Sequence, residues 1–410
     1  MPIRTPGFLL PAAFAVIGCT VAGLPSPIAG IPDVNATTSA MTPVATAAHS
    51  PAPRQTPTKT LIPSPLPICS QPAGVDLDGL ELAFAARRDG DSEVYVVRGD
   101  GSDLRQLTNN ATDDIEPVWS PDGRRLAYVA DADGDPTLSV SEADGTKGSP
   151  VATDAEPELG PSSLVWAPDG NKIAFRNSEG IYLVDFDSGD TANLIRGAGL
   201  VPRDLSISSD GSTVAFAADN LAGTRMDVLH IVGINGRGLR QLQDVRRHAF
   251  RPRWHPMEQK ILVGGYLEGA NYALYVISTD GSHEPIPGPF PDGLPMATWS
   301  PDGSMVGYIA WSYETAPNGK RIYLNSLRVA TADGYLDLAL VRPLNEPGVG
   351  FVIGDFAWAP DGRHIAYTTS KDRPLTEGVD LFVLDVCSGS SNLVAETVEF
   401  YSSPSWRLVP

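Results

Sequence analysis

The chain has 410 residues, 19% of them charged, and its 30 Lys and Arg against 49 Asp and Glu give a formal net charge of −19. A balance that acidic excludes a nucleic acid as partner, because holding a phosphate backbone needs a basic surface; it favours solubility and, more weakly, cationic partners. The 40 glycines and 37 prolines, with no long apolar segment of 3.6-residue period, exclude a mainly helical fold and call for many short strands and turns.

The first 19 residues form an export signal. One Arg lies in residues 1–7, residues 8–18 are apolar, and eleven such residues are too few to span a bilayer. The segment ends in Val16-Ile-Gly-Cys19, which resembles the bacterial lipoprotein box. That resemblance implies acylation of Cys19 and a lipid anchor in a bacterial membrane, with the rest of the chain facing the periplasm or the cell exterior. An ordinary secretory signal cleaved slightly later is the plainer alternative. Residues 20–68 are Ala, Pro, Ser and Thr with almost no charge, and ten of them are prolines. Such a stretch buries too little apolar surface to offset its ordering entropy, so it reads as a disordered spacer.

From residue 69 to 410 one hairpin keeps returning. Trp119-Ser-Pro-Asp-Gly123 precedes Leu126-Ala-Tyr128: Pro pre-sets φ, Asp bonds its own backbone, and Gly accepts φ > 0. Trp166-Ala-Pro-Asp-Gly170, Ile207-Ser-Ser-Asp-Gly211, Trp299-Ser-Pro-Asp-Gly303 and Trp358-Ala-Pro-Asp-Gly362 repeat it, each ahead of an apolar strand. Trp254-His-Pro256 is a variant that has lost Asp-Gly, and Trp406 stands near the end with no hairpin after it. The spacings of 47, 41, 47, 45, 59 and 48 residues and the strand-rich pattern are those of β-propeller blades. A second turn recurs in phase, from Asp100-Gly101 through Asp280-Gly281 to Ser388-Gly389. The first repeat reads as strands over 82–86, 94–97 and 103–107. The expected fold is all-β, a single propeller of seven four-stranded blades, with six as the alternative. The strand around Trp406 should close it by joining the blade begun at Leu82, which removes open edges.

The repeat resembles that of the TolB-type propeller family, best over Asp89 to Val96 and Gly99 to Thr108. The resemblance implies the fold but is poorly specific for function, since that repeat also occurs in peptidase propeller domains and in surface lipoproteins. Here a Pro-rich spacer stands in place of TolB's N-terminal α/β domain, and no hydrolase domain follows Trp406.

Cys69 and Cys387 bracket the repeats, and in an exported protein such a pair invites a disulfide. No nucleophile elbow, phosphate loop or dinucleotide fingerprint appears, and none of the six His residues has ligand spacing. His230, His248 and His255 are the only candidates for a metal site of the kind some propeller lyases use, and a metal there is not expected. The acidic runs 89–91 and 131–135 read as turns rather than Ca²⁺ loops. No catalytic residue and no cofactor are therefore expected. Binding should fall on the face carrying the variable connections, 108–117, 153–161, 244–251 and 343–355, with the loop 310–319. Trp311 and Tyr313 are candidate anchors there, with the basic cluster Arg246, Arg247 and Arg251. Plainer readings are a strand position packed between blades for Trp311 and a solvated loop for the arginines. The expected function is that of a monomeric, non-enzymatic, membrane-tethered module that binds an envelope protein or glycan. The alternative is a lyase or glycosidase with its site in the central channel. Converging His and carboxylates in that channel would favour the enzyme; a lining of backbone and apolar side chains would favour the binder.

Overall fold

A computed structural model describes residues 76–409, with Leu66 and Cys69 ahead of them. It omits 89, 133–134, 152–156, 158–162, 220–226, 243–249, 267–271, 288–295, 316–320, 335, 342–351, 371–377 and 400–402. The signal, Cys19 and the spacer up to residue 65 lie outside the described residues, as do Arg246, Arg247 and His248.

Antiparallel four-stranded sheets follow one another along the chain. They are β4–β7 (Asp113–Trp119, Arg125–Ala132, Asp135–Glu142, Ser149–Pro150), β8–β11 (Leu164–Trp166, Lys172–Asn177, Gly180–Asp185, Thr191–Asn193) and β12–β15 (Pro202–Ile207, Thr213–Asp219, Asp227–Gly233, Arg240–Gln241). Next come β16–β19 (Phe250–Trp254, Lys260–Tyr266, Tyr272–Ser278, His283–Ile286) and β20–β23 (Ala297–Trp299, Met305–Thr315, Arg321–Thr331, Asp337–Val341). The remaining strands are β1 (Leu80–Arg87), β2 (Ser92–Arg98), β3 (Arg105–Gln106), β24–β27 (Val352–Trp358, His364–Ser370, Val379–Asp385, Ser391–Val398) and β28 (Ser405–Leu408). They fall into two such groups, joined where Ala86 pairs with Val398. The third strand expected in the first repeat is only the two residues of β3, because Ser102 closes the turn on Arg98 and Asp103 takes a positive φ that breaks the extended backbone.

Both turn families behave as their residues require. In the first hairpin Gly123 N–H donates to the Ser120 carbonyl at 2.8 Å, and Gly123 has φ +69°. Asp122 accepts from the Ser120 hydroxyl (2.6 Å) and from Arg124 N–H (3.1 Å). A Cβ at Gly123 would stand 3.2 Å from the Leu408 carbonyl, so the turn also leaves room for the last strand. Where the motif loses Asp-Gly, His255 takes over: its Nδ1 accepts N–H groups from Met257 (3.1 Å) and Glu258 (3.0 Å). That fixes the proton on Nε2, which faces the Gly303 carbonyl at 3.3 Å. His230 is buried, stacks on Phe216, and burial lowers its pKa. Both histidines thus have structural partners.

The core lies between successive sheets. Ala83, Val94 and Val96 of the first meet Trp119, Leu126 and Tyr128 of the second; Leu262 and Leu274 meet Trp299, Val306 and Tyr308. Covered on both faces, the second strand of each sheet reads as a continuous apolar run, as Leu82, Ala83 and Phe84 do at 0% exposure. Indoles link the inner strands: Trp166 Nε1 donates to the Val118 carbonyl (3.0 Å), Trp299 to Arg253 (3.2 Å) and Trp406 to Ala357 (3.1 Å). Where the preceding inner strand offers a serine, the link changes. Ser405 and Ser206 hydroxyls accept the backbone N–H of Trp119 (2.9 Å) and Trp254 (3.0 Å), and those two indole N–H groups are left without a partner.

The two ends of the domain meet. β28 pairs with β1 through Leu82 with Trp406 and Glu81 with Arg407. Glu81 is 2% exposed and Arg407 8%; Arg407 donates to Glu81 at 2.7 Å and to the Gly123 carbonyl at 2.8 Å, with its guanidinium 4.1 Å from the Trp119 ring centroid. Arg105 pairs with the other oxygen of Glu81. Cys69 and Cys387 form a disulfide with Cα atoms 5.4 Å apart. Closing a loop of 318 residues contributes on the order of 5 kcal/mol in the chain-entropy account. Leu66, three residues before the expected start of the domain, is buried in the apolar cluster that also holds Phe356 and Trp358.

Arg407→Ala leaves Glu81 buried with only the more exposed Arg105. Urea unfolding should show a loss of about 3 kcal/mol, most of it recovered in the double variant with Glu81→Leu and Arg407→Leu. An Arg407→Ala variant with the wild-type midpoint would contradict this role.

Candidate functional site: the central channel

The inner strands β4, β8, β12, β16, β20, β24 and β28 surround one cavity of about 440 Å³. Its chemistry comes from a position that the hairpin motif does not mark. Three residues before each tryptophan-type position stand Glu116, Ser163, Asp204, Arg251, Met296, Asp355 and Ser403. In four of these strands the pairing slips at this point, between Ile115 and Val118, Arg203 and Ser206, Phe250 and Arg253, and Ile353 and Phe356. Such bulges re-aim a side chain. Glu116, Asp204 and Arg251 adopt positive φ there (54°, 46° and 49°), a conformation non-glycine residues rarely take and one common at functional sites.

Hydroxyls and charges then meet across strands. The Ser163 hydroxyl donates to Glu116, and the Ser403 hydroxyl to Asp355. Arg251 stands 4.0 Å from Asp355, a distance longer than a direct hydrogen bond. Arg253, two residues on, also lines the cavity and donates to the Pro252 carbonyl at 3.0 Å. Burial pushes its guanidinium pKa down and Arg251 adds to that, while Asp204 and Asp355 oppose both. Two cations on one strand therefore face carboxylates on two others, Asp204 on β12 and Asp355 on β24. Between them the wall is apolar, with Val118, Leu164, Leu205 and Ala357. Among the described residues the lining contains no histidine, and no group of three His, Cys, Asp or Glu is placed to hold a metal. Neither expected lining is met cleanly. Carboxylates converge, but with arginines rather than with histidines.

The other candidate anchors stand elsewhere. Trp311 and Tyr313 lie within β21 and pair with Asn325 and Tyr323, so the expected loop 310–319 is strand as far as Thr315. The reason is local: residues 305–315 and 321–331 are β-branched and aromatic enough to extend the hairpin by several pairs. Trp311 is half-buried. Antiparallel alternation puts the pair Thr315 and Arg321 at the end of the sheet where each inner strand begins, which is also the end carrying Arg251. Arg251 itself, expected in a loop, is a strand residue at the channel. The polar residue three places before the tryptophan-type position stands in the sequence of every repeat but the one with Met296; the bulges that turn it inward are not legible there.

Residues 62–258 match the TolB β-propeller domain family. Among solved structures, the chain resembles an oligogalacturonate lyase in complex with manganese (12% identity, TM-score 0.57, covering 76% of this chain and 84% of that one). It also resembles puromycin hydrolase (14%, 0.54, 81% and 55%), about half of whose length it spans, and TolB from Acinetobacter baumannii (15%, 0.49, 81% and 67%). No curated protein matches it in sequence. At these identities the likeness speaks for the fold alone. Over residues 62–258 the chain carries the TolB β-propeller domain, and the same kind of four-stranded antiparallel sheet continues beyond it.

Proposed function

We propose that this chain is a seven-bladed, non-enzymatic binding module, exported and tethered to a bacterial membrane by a lipid on Cys19. It takes a protein or glycan ligand on the face where the channel opens beside Arg251. The observation that carries the binding reading is the set of charged groups around that opening. Arg251 stands near Asp355 without a tight contact, so a ligand carboxylate can engage it at little cost, while hydroxyl-bound Glu116 and Asp355 accept from ligand N–H or O–H groups. The reading of seven blades is supported by the closing strand, if β28 is grouped with β1, β2 and β3 and set apart from β24–β27 in the eight-stranded sheet. The long β21–β22 hairpin, with Trp311, adds a second contact on the same face. Among the described residues no helix is long and apolar enough to cross a membrane, and the tether rests on the signal and its Cys. The convergence of Glu116 and Asp355 also supports a second reading, a lyase or glycosidase that uses them as acid and base.

Growth with labelled palmitate should label the wild-type protein and leave Cys19→Ala unlabelled; equal labelling of both would remove the tether. Capture of envelope proteins and glycans on the immobilised protein, followed by titration of the identified ligand, should show affinity falling about tenfold in Arg251→Ala. Unchanged affinity in both Arg251→Ala and Trp311→Ala would remove the binding face. Turnover of an acidic oligosaccharide that is lost in Glu116→Gln would establish the second reading instead.

A further inference from the structure

Two buried carboxyl groups have no part in the site above. Glu93 on β2 is 1% exposed and Asp114 on β4 is 0% exposed, and they face each other across the boundary between the first and second sheets. One connection serves both. Asn110 donates its backbone N–H to Glu93 Oε1 (2.8 Å) and its side-chain Nδ2 to Asp114 Oδ2 (2.7 Å). The Thr108 hydroxyl donates to Glu93 Oε2, and the Thr112 hydroxyl to Asp114 Oδ1 (3.2 Å). Both carboxyl groups thus hang on one asparagine, close enough that the charge of Asp114 opposes ionisation of Glu93.

Among the described residues no positive charge answers them: neither carboxylate pairs with a Lys or Arg, and the nearby Arg87 is engaged with Asp113 (2.9 Å) and Glu399 (3.4 Å). The other titratable neighbours make ionisation harder. Asp91 adds negative charge from the β1–β2 turn, and the Tyr128 phenol on β5 is held by Ser139. Burial raises both acids, more than their hydrogen bonds lower them. Burial, and then the charge of Asp114, pushes Tyr128 up to about 12.

We infer that Glu93 and Asp114 share a single proton in the folded protein at neutral pH, and that losing it forces the start of β4 away from β2. Glu116, at the channel mouth, is two residues beyond Asp114 on the same strand, so the pair couples proton loss to the shape of that rim. The linkage has a definite sign. Both acids are ionised in the unfolded chain above about pH 5, whereas the folded chain keeps one proton, so stability falls as pH rises until that proton leaves.

The test is urea unfolding of the full chain across about pH 5 to 8 for wild type, Glu93→Gln and Asp114→Asn. Either variant replaces the shared proton with a permanently neutral amide. The wild-type unfolding constant should rise relative to each variant's, approaching tenfold per pH unit. Other titrating groups, including His230, are common to all three proteins and cancel. Parallel profiles for all three would overturn the inference. So would a wild type whose stability at pH 8 is raised by Ca²⁺ and whose variants' is not, since a cation and not a proton would then hold the pair.

Discussion

A ring of sheets has a free edge unless its last sheet is completed by a strand from the other end of the chain. That constraint organises this domain. β28 is only four residues long, yet it supplies the inner strand of the sheet that β1 begins. Without it the open backbone of β1 would be a template for pairing with another chain. The closure is reinforced where it is most exposed to failure. Arg407 reaches three partners, Glu81, the Gly123 carbonyl and the Trp119 ring, and so ties the last strand to the first two sheets at once. A buried ion pair adds little net stability, but its geometry opposes a slipped register. The disulfide between Cys69 and Cys387 separately ties the segment ahead of β1 to the β26–β27 turn.

Closure also makes the channel. Because every inner strand begins at the same end, a single position in the repeat is brought to one rim, and the repeat need not conserve what stands there. The tryptophans hold neighbouring strands together, and three residues earlier the chain is free to vary: Glu116, Ser163, Asp204, Arg251, Met296, Asp355 and Ser403. The scaffold and the recognition surface thus occupy different positions of one motif. Bulges at four of these strands turn the variable residues inward at the cost of a strained backbone, about 1–3 kcal/mol for each residue held in the left-handed region.

Most of the scaffold was legible in the sequence. Trp-x-Pro-Asp-Gly specifies its turn through properties of the individual residues, and an even spacing of such turns leaves few architectures. The pairing of Leu82 with Trp406 followed from counting, since one strand type lacked a partner at each end. What stayed hidden depended on long-range register. Arg251 read as part of a loop cluster because nothing local marks a bulge. Trp311 and Tyr313 read as loop residues because the length of a hairpin is decided by pairing across it. Glu93 and Asp114 come together only when sheets stack, and Glu81 with Arg407 are 326 residues apart.

Hydrogen exchange followed by mass spectrometry tests the closed ring most directly. If β28 is an integral strand, the amides of residues 405–408 exchange only when the whole domain unfolds, at the same rate as those of residues 80–87. Fast exchange over 405–408 while 80–87 stays protected would show the terminal strand to be an appendage and the ring to be open.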